Sequence, residues 1–116
     1  MEARNAIITN TMLGYEDHGI FTFMLYLDYG GSGQGAGGYA LDSWYEQKKK
    51  RVGWAYGIDV IARIMQVVGV EKWEDLKGKH IRARSDWGKV HAIGNFLKDD
   101  WMEFDHFFQS LSLNKE

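Results

Sequence analysis

The chain has 116 residues, a net charge of −2, 45% hydrophobic and 15% aromatic residues, and neither cysteine nor proline. That length suits one domain, 1–116, burying roughly two-thirds of the surface exposed by the unfolded chain, and the apolar content argues against disorder. The missing cysteines exclude a disulfide scaffold, thiol catalysis and thiolate-bound zinc. Without a long apolar run or a signal peptide, a soluble, cytoplasmic protein with no membrane partner is expected.

In chain order, Asn5 to Leu13 and Ile20 to Tyr29 are rich in β-branched and aromatic residues around the polar stretch 14–19, which predicts a β-hairpin. Phe21, Phe23, Leu25 and Leu27 share one face of the second strand. Ile20, Met24 and Tyr26 make the other face apolar too, so a central strand covered on both faces is expected. Next, Gly30 to Gly38 packs six of the 14 glycines into nine residues. Such a run implies close backbone approach, positive φ or a mobile flap, because glycine costs entropy and buries no side chain. Tyr39 to Leu41 reads as a short strand, and the polar stretch Ser43 to Lys50 as an exposed loop.

From Tyr56 to Val68, Ile58, Ile61, Ala62, Met65 and Val68 recur at helical spacing, and Gly69 stands where a C-terminal cap wants positive φ. That stripe is the expected core face of the one main helix. Trp73 to Leu76 reads as a single helical turn. His80 to Ser85 and Lys89 to Leu97 then form a second hairpin about Trp87-Gly88. A two-residue turn would put Ile81, Ala83 and Ser85 on one face with Val90, Ala92 and Gly94, and His80, Arg82 and Arg84 on the other with Lys89, His91 and Ile93. The tail from Asp99 carries Trp101, Phe104, Phe107 and Phe108 as a short strand and helix, fraying over 109–116 and polar after Leu113. The expected fold class is α+β, an antiparallel sheet of about five strands with one main helix packed on it, strongly bent or partly closed into a barrel as an alternative.

Charge is unevenly spread. Lys48 to His91 carries 11 Lys and Arg against five Asp and Glu, and the rest carries three against eleven. A basic middle suits an anionic ligand, or attraction to the acidic flanks within the fold or between subunits. Gly33, Gly35 and Gly38 satisfy G-x-G-x-x-G, but Tyr39 to Asp42 reads as strand where a dinucleotide fold needs a helix. The backbone amides of the run remain available as an anion nest, against a purely structural role. The four histidines lack metal-ligand spacing, no strained nucleophile motif occurs, and no metal, cofactor or catalytic residue is expected. Glu74-Asp75 and Asp99-Asp100 read as solvated turn residues. Arginines with flat aromatics nearby, Arg51 with Trp54 and Tyr56, and Arg82 and Arg84 with Trp87, are the chemistry of phosphate pairing and base stacking; a solvated loop and sheet face is the plainer reading.

Five stretches together resemble a widespread group of small proteins encoded by bacteriophages and prophages: 11–20 (TMLGYEDHGI), 37–42 (GGYALD), 56–59 (YGID), 73–79 (WEDLKGK) and 93–101 (IGNFLKDDW). The resemblance brings no fold, activity or catalytic residue set; it implies a small accessory protein inside an infected bacterium. In that setting the expected function is a non-enzymatic counter-defence binder that inhibits a host immune factor or sequesters a nucleotide-derived signal. The alternatives are a nucleic-acid-binding accessory protein of phage replication or recombination, and a small nucleotide-acting enzyme using Asp17, His18 and His91. For sequestration the candidate ligand residues are Gly33, Gly35, Gly38, Tyr39, Arg51, Trp54, Tyr56, Arg82 and Arg84, in a possible homo-oligomer.

Overall fold

The computed structural model describes residues 1–113, with side chains through residue 111. Eight strands and two helices follow one another as β1 (Ala3–Tyr15), β2 (Phe21–Asp28), β3 (Gly33–Ala40), β4 (Asp42–Tyr45), β5 (Lys50–Gly53), α1 (Ala55–Val68), β6 (His80–Ser85), β7 (Val90–Asn95), β8 (Trp101–Glu103) and α2 (Phe104–Leu113), with 3₁₀ turns at Glu46–Lys48 and Trp73–Leu76. Six strands form one antiparallel sheet in the order β3-β2-β1-β6-β7-β8, and β4 pairs β5 in a separate hairpin. The class is α+β, as composition and periodicity anticipate. The polar end expected after Leu113 lies outside the described residues.

The sheet curls. Tyr29 at the end of β2 and Gln34 in β3 reach across to the β6–β7 turn, where Tyr29 Oη lies 3.3 Å from Ser85 Oγ and Gln34 Nε2 donates to the Asp86 carbonyl at 2.8 Å. One side of the curl holds the core, with Ile8, Phe23, Leu25, Ile81, Ile93, Met102 and Phe104 under Val60, Ile64 and Val67 of α1. Burying such side chains contributes about 1.5–3 kcal/mol each before entropy is counted.

Five expectations are corrected. From Gly33 the glycine run becomes β3, an edge strand paired with β2 from Thr22↔Ala40 to Asp28↔Gly33, and residues 30–32 form the turn before it. From Gly33 on the backbone runs in a ladder instead of forming a nest or flap, while the expected close approach and positive φ are both present: a Cβ at position 37 would lie 2.6 Å from the Phe23 carbonyl oxygen, and Gly30, Gly31, Gly37 and Gly38 have positive φ. Ser43 to Lys50 is exposed from Trp44 on, as expected, but it is a hairpin closed by the 3₁₀ turn Glu46–Lys48 instead of a loop. It builds β4 and the start of β5, anchored where the buried Asp42 carboxylate accepts from Arg51 Nε and Nη2 at 3.0 and 2.7 Å and from the Phe21 amide at 3.1 Å. Arg51 holds that carboxyl below its usual range. β2 is interior, as expected, with Phe23, Leu25 and Leu27 buried on one face, but the other face is covered only in part: Thr22 is buried and Met24 half-buried, while Tyr26 is exposed.

The fourth correction concerns the helix. α1 caps at Gly69 as expected, the Gly69 amide donating to Met65 O. Its buried residues, however, are Gly57, Val60, Ile64, Val67 and Val68, and Ile58 is 72% exposed. Two apolar stripes compete on this helix, and periodicity ranks neither. Contact at Gly57 decides the rotation, because a Cβ there would sit 2.6 Å from the Leu41 carbonyl oxygen. Only the glycine face can approach that strand end.

The second hairpin turns about Trp87-Gly88, with the Asp86 amide donating to Lys89 O. A bulge between Arg84↔Ala92 and Ser85↔Val90 then shifts the register by one residue, pairing Ala83 with Ile93 and Arg82 with Gly94. The predicted faces are corrected accordingly: Ile93 joins Ile81, Ala83 and Val90 in the core, while Ala92 and Gly94 lie on the outer face with the arginines.

Candidate functional site

At the end of the sheet where the β2–β3 and β6–β7 turns meet, Arg4, Tyr29, Ser32, Gly33, Gln34, Asp86 and Trp87 line a cleft of about 390 Å³. Its parts follow from local chemistry. The Arg4 guanidinium lies 3.8 Å over the Tyr29 ring and has no carboxylate partner among the described residues. Tyr29 Oη donates to Gln34 Oε1 at 2.6 Å, fixing the amide that ties the two turns together. Trp87 is fully exposed. A large aromatic held in water buries nothing, so its exposure has no folding rationale in the isolated chain.

The Trp87 turn is built rigidly. Asp86 Oδ1 accepts from the Gly88 and Lys89 amides at 2.8 and 3.0 Å, and His91 Nε2 donates to Oδ2 at 2.7 Å. The His91 bond, then those amides, depress the Asp86 pKa to about 2. A carboxyl with a depressed folded-state pKa contributes stability above its unfolded value, near 3.9, and loses it as pH falls through the folded value. Asp86→Asn is therefore expected to melt below the native chain by a clear margin near pH 5. Melting curves at successive pH values should show that margin closing toward pH 2; a margin unchanged at pH 2 would assign the effect to the amide's shape.

Beside this turn, Lys89 pairs with Asp105 at 3.2 Å, and Tyr39 Oη donates to Asp105 Oδ1 at 3.1 Å, closing the curl against α2. Burial, then this carboxylate, pushes the Tyr39 hydroxyl pKa up.

The nine sequence-predicted ligand residues separate. Gly33 lines the cleft, whereas Gly35 and Gly38 sit against the Met24 side chain in β3. Tyr39, Trp54 and Tyr56 do come together, in an aromatic cluster with Phe23, Phe104 and Phe108: Tyr39 stacks on Phe108 at 4.6 Å and Trp54 meets Tyr56 edge-on at 5.5 Å. Trp54 Nε1 is buried there with no hydrogen-bond partner among the described residues. Arg51 is committed to Asp42. Arg82 and Arg84 lie on the outer sheet face over Trp101, 4.9 and 3.9 Å from its ring, and Arg82 also donates to the Asn95 and Lys98 carbonyls at 2.9 and 2.8 Å. Asp17 and His18 occupy the β1–β2 tip, at the opposite end of the sheet from His91, so the three do not converge.

Sequence reasoning missed Arg4, Tyr29, Gln34 and Asp86 as site residues. The available signal was Trp87 itself, an aromatic placed in a tight turn. Among the described residues, no three His, Asp or Glu side chains come close enough to share a metal ion, and neither helix is long and apolar enough to cross a membrane. No family model matches the chain, and no curated protein or solved structure matches it.

Proposed function

We propose that the protein is a non-enzymatic binder that sequesters a nucleotide-like anion in the cleft between the β2–β3 and β6–β7 turns. One observation carries the reading: fully exposed Trp87 borders the same cleft as the Arg4–Tyr29 stack. Trp87 offers a π face to a base, and the Arg4 guanidinium offers paired donors to a phosphate. The volume falls within the range of small-molecule sites. Joined to the resemblance to phage-encoded proteins, the ligand would be a nucleotide-derived immune signal of the host. The basic residues favour a small anion over a nucleic acid, because Arg4, Arg51 and the Arg82–Arg84 pair occupy separate surfaces instead of one track.

Native mass spectrometry of the protein from phage-infected bacteria, followed by calorimetry with a panel of mono- and dinucleotides, tests this. A nucleotide-sized adduct is expected. Trp87→Ala and Arg4→Ala should each weaken binding by about 10–100-fold, from the loss of one stacking or charged contact, with Tm nearly unchanged. A bare protein, a co-purified host protein, or oligonucleotide binding that falls steeply with salt would each overturn the reading.

A further inference from the structure

We propose that β1 is also a self-association edge, through which two copies of the chain join their sheets. β1 pairs with β2 from Ile7 to Tyr15, but with β6 only from Ala3 to Ile7. Two more backbone bonds, Ile8 N to Lys79 O and Gly78 N to Ile8 O, end that contact. From Thr9 to Tyr15 the second edge of β1 has no strand against it among the described residues.

Open edges are hazards that folded proteins blunt with charge, proline or short length. The other two edges of this sheet are managed: β8 has three residues and runs straight into α2, and β3 is tied through Gln34 to the β6–β7 turn. The open run of β1, Thr9-Asn10-Thr11-Met12-Leu13-Gly14-Tyr15, has neither charge nor proline, and Leu13 and Tyr15 are exposed. An uncharged strand can lie beside its own copy without repulsion. A two-fold axis at its centre, Met12, sets Thr11 opposite Leu13 of the second copy, a good cross-strand pairing, and the bulge between Ile8 and Asn10 ends the regular edge at Thr9.

Charge selects a second copy as the occupant. The Gly78–Lys79 backbone fills the edge beside Ile8, so the strands part there, and the exposed Asp17 at the tip of one chain comes toward the Lys77 and Lys79 side chains of the other. Asp17, Lys77 and Lys79 are all exposed, with no ion-pair partner among the described residues. The join leaves the ligand cleft open, since Arg4 and Tyr15 stand at opposite ends of a strand rising about 3.3 Å per residue.

Sedimentation of the full chain, with single-cysteine cross-linking, tests the proposal. A dimer is expected, and because the native chain has no cysteine, Met12→Cys introduces one reporter. Facing strands bring the two Cα atoms to about 4.5–5.5 Å, within disulfide range, so oxidation should convert Met12→Cys into a covalent dimer. Gln109→Cys, exposed on α2, should stay uncross-linked. Asp17→Lys or Lys79→Asp alone should weaken the dimer several-fold, and the two together should restore it. A monomer at every concentration, or a dimer that cross-links through Gln109→Cys and not through Met12→Cys, would overturn the proposal.

Discussion

Phe23→Ala is expected to remove about 3–5 kcal/mol of folding stability, a large part of the roughly 6–17 kcal/mol that a domain of this length holds. Phe23 is fully buried in β2, with its ring centroid 6.4 Å from Tyr39 and 6.1 Å from Phe104, so it joins the sheet to α2 through the aromatic cluster. Its neighbours cannot collapse into the space it would leave. Tyr39 is held by its bond to Asp105 and its stack on Phe108, and Gly37, against the Phe23 ring, has no side chain to swing in. Tm should fall by about 15 °C, given about 4 °C per kcal/mol at this size. Urea unfolding with an unchanged slope would confirm the loss as stability; a loss below about 1 kcal/mol would show the cluster to be peripheral.

Gly94→Ala tests the outer face. A Cβ at Gly94 would lie 2.6 Å from two atoms of the Trp101 indole and 2.7 Å from a third, so the ring must lift away. Lifting it separates Trp101 from Arg82 and Arg84, whose guanidiniums rest over it. A single added methyl group should therefore cost about 1–3 kcal/mol, the usual range for overpacking. The cause is checked by a double-mutant cycle: in a Trp101→Ala background the same substitution should fall within about 0.5 kcal/mol of neutral. An equal cost in both backgrounds would move the cause to the β7 backbone.

Much of the local architecture was legible. The first hairpin, the α1 helix with its Gly69 cap, the Trp87-Gly88 turn and the α+β class all rest on patterns that act within about a dozen residues, which a sequence carries directly. The glycine-rich strand was not legible, because β3 is stabilised by pairing with β2 and by the small size of its residues. The nine proposed ligand residues illustrate the same limit. Residue type identified arginines and aromatics suited to an anion, yet Arg51 binds Asp42, Arg82 binds two carbonyls, and Tyr39 and Trp54 serve a packed cluster.

By itself, then, the sequence determined the period, the punctuation and the chemistry on offer: where strands and helices run, where chains turn, and that arginine and tryptophan are present without cysteine. Tertiary structure alone decided which face of each element turns inward and which side chains meet. Gly57 against Leu41 rotated α1 away from its Ile58 stripe, and the one-residue bulge of β7 carried Ile93 into the core. Curling of the sheet brought Arg4, Tyr29, Gln34 and Trp87 to one cleft across more than 80 residues. The physical reason is common to all three: helical and strand periods repeat on both faces of an element, and only steric contact with a distant segment breaks the tie.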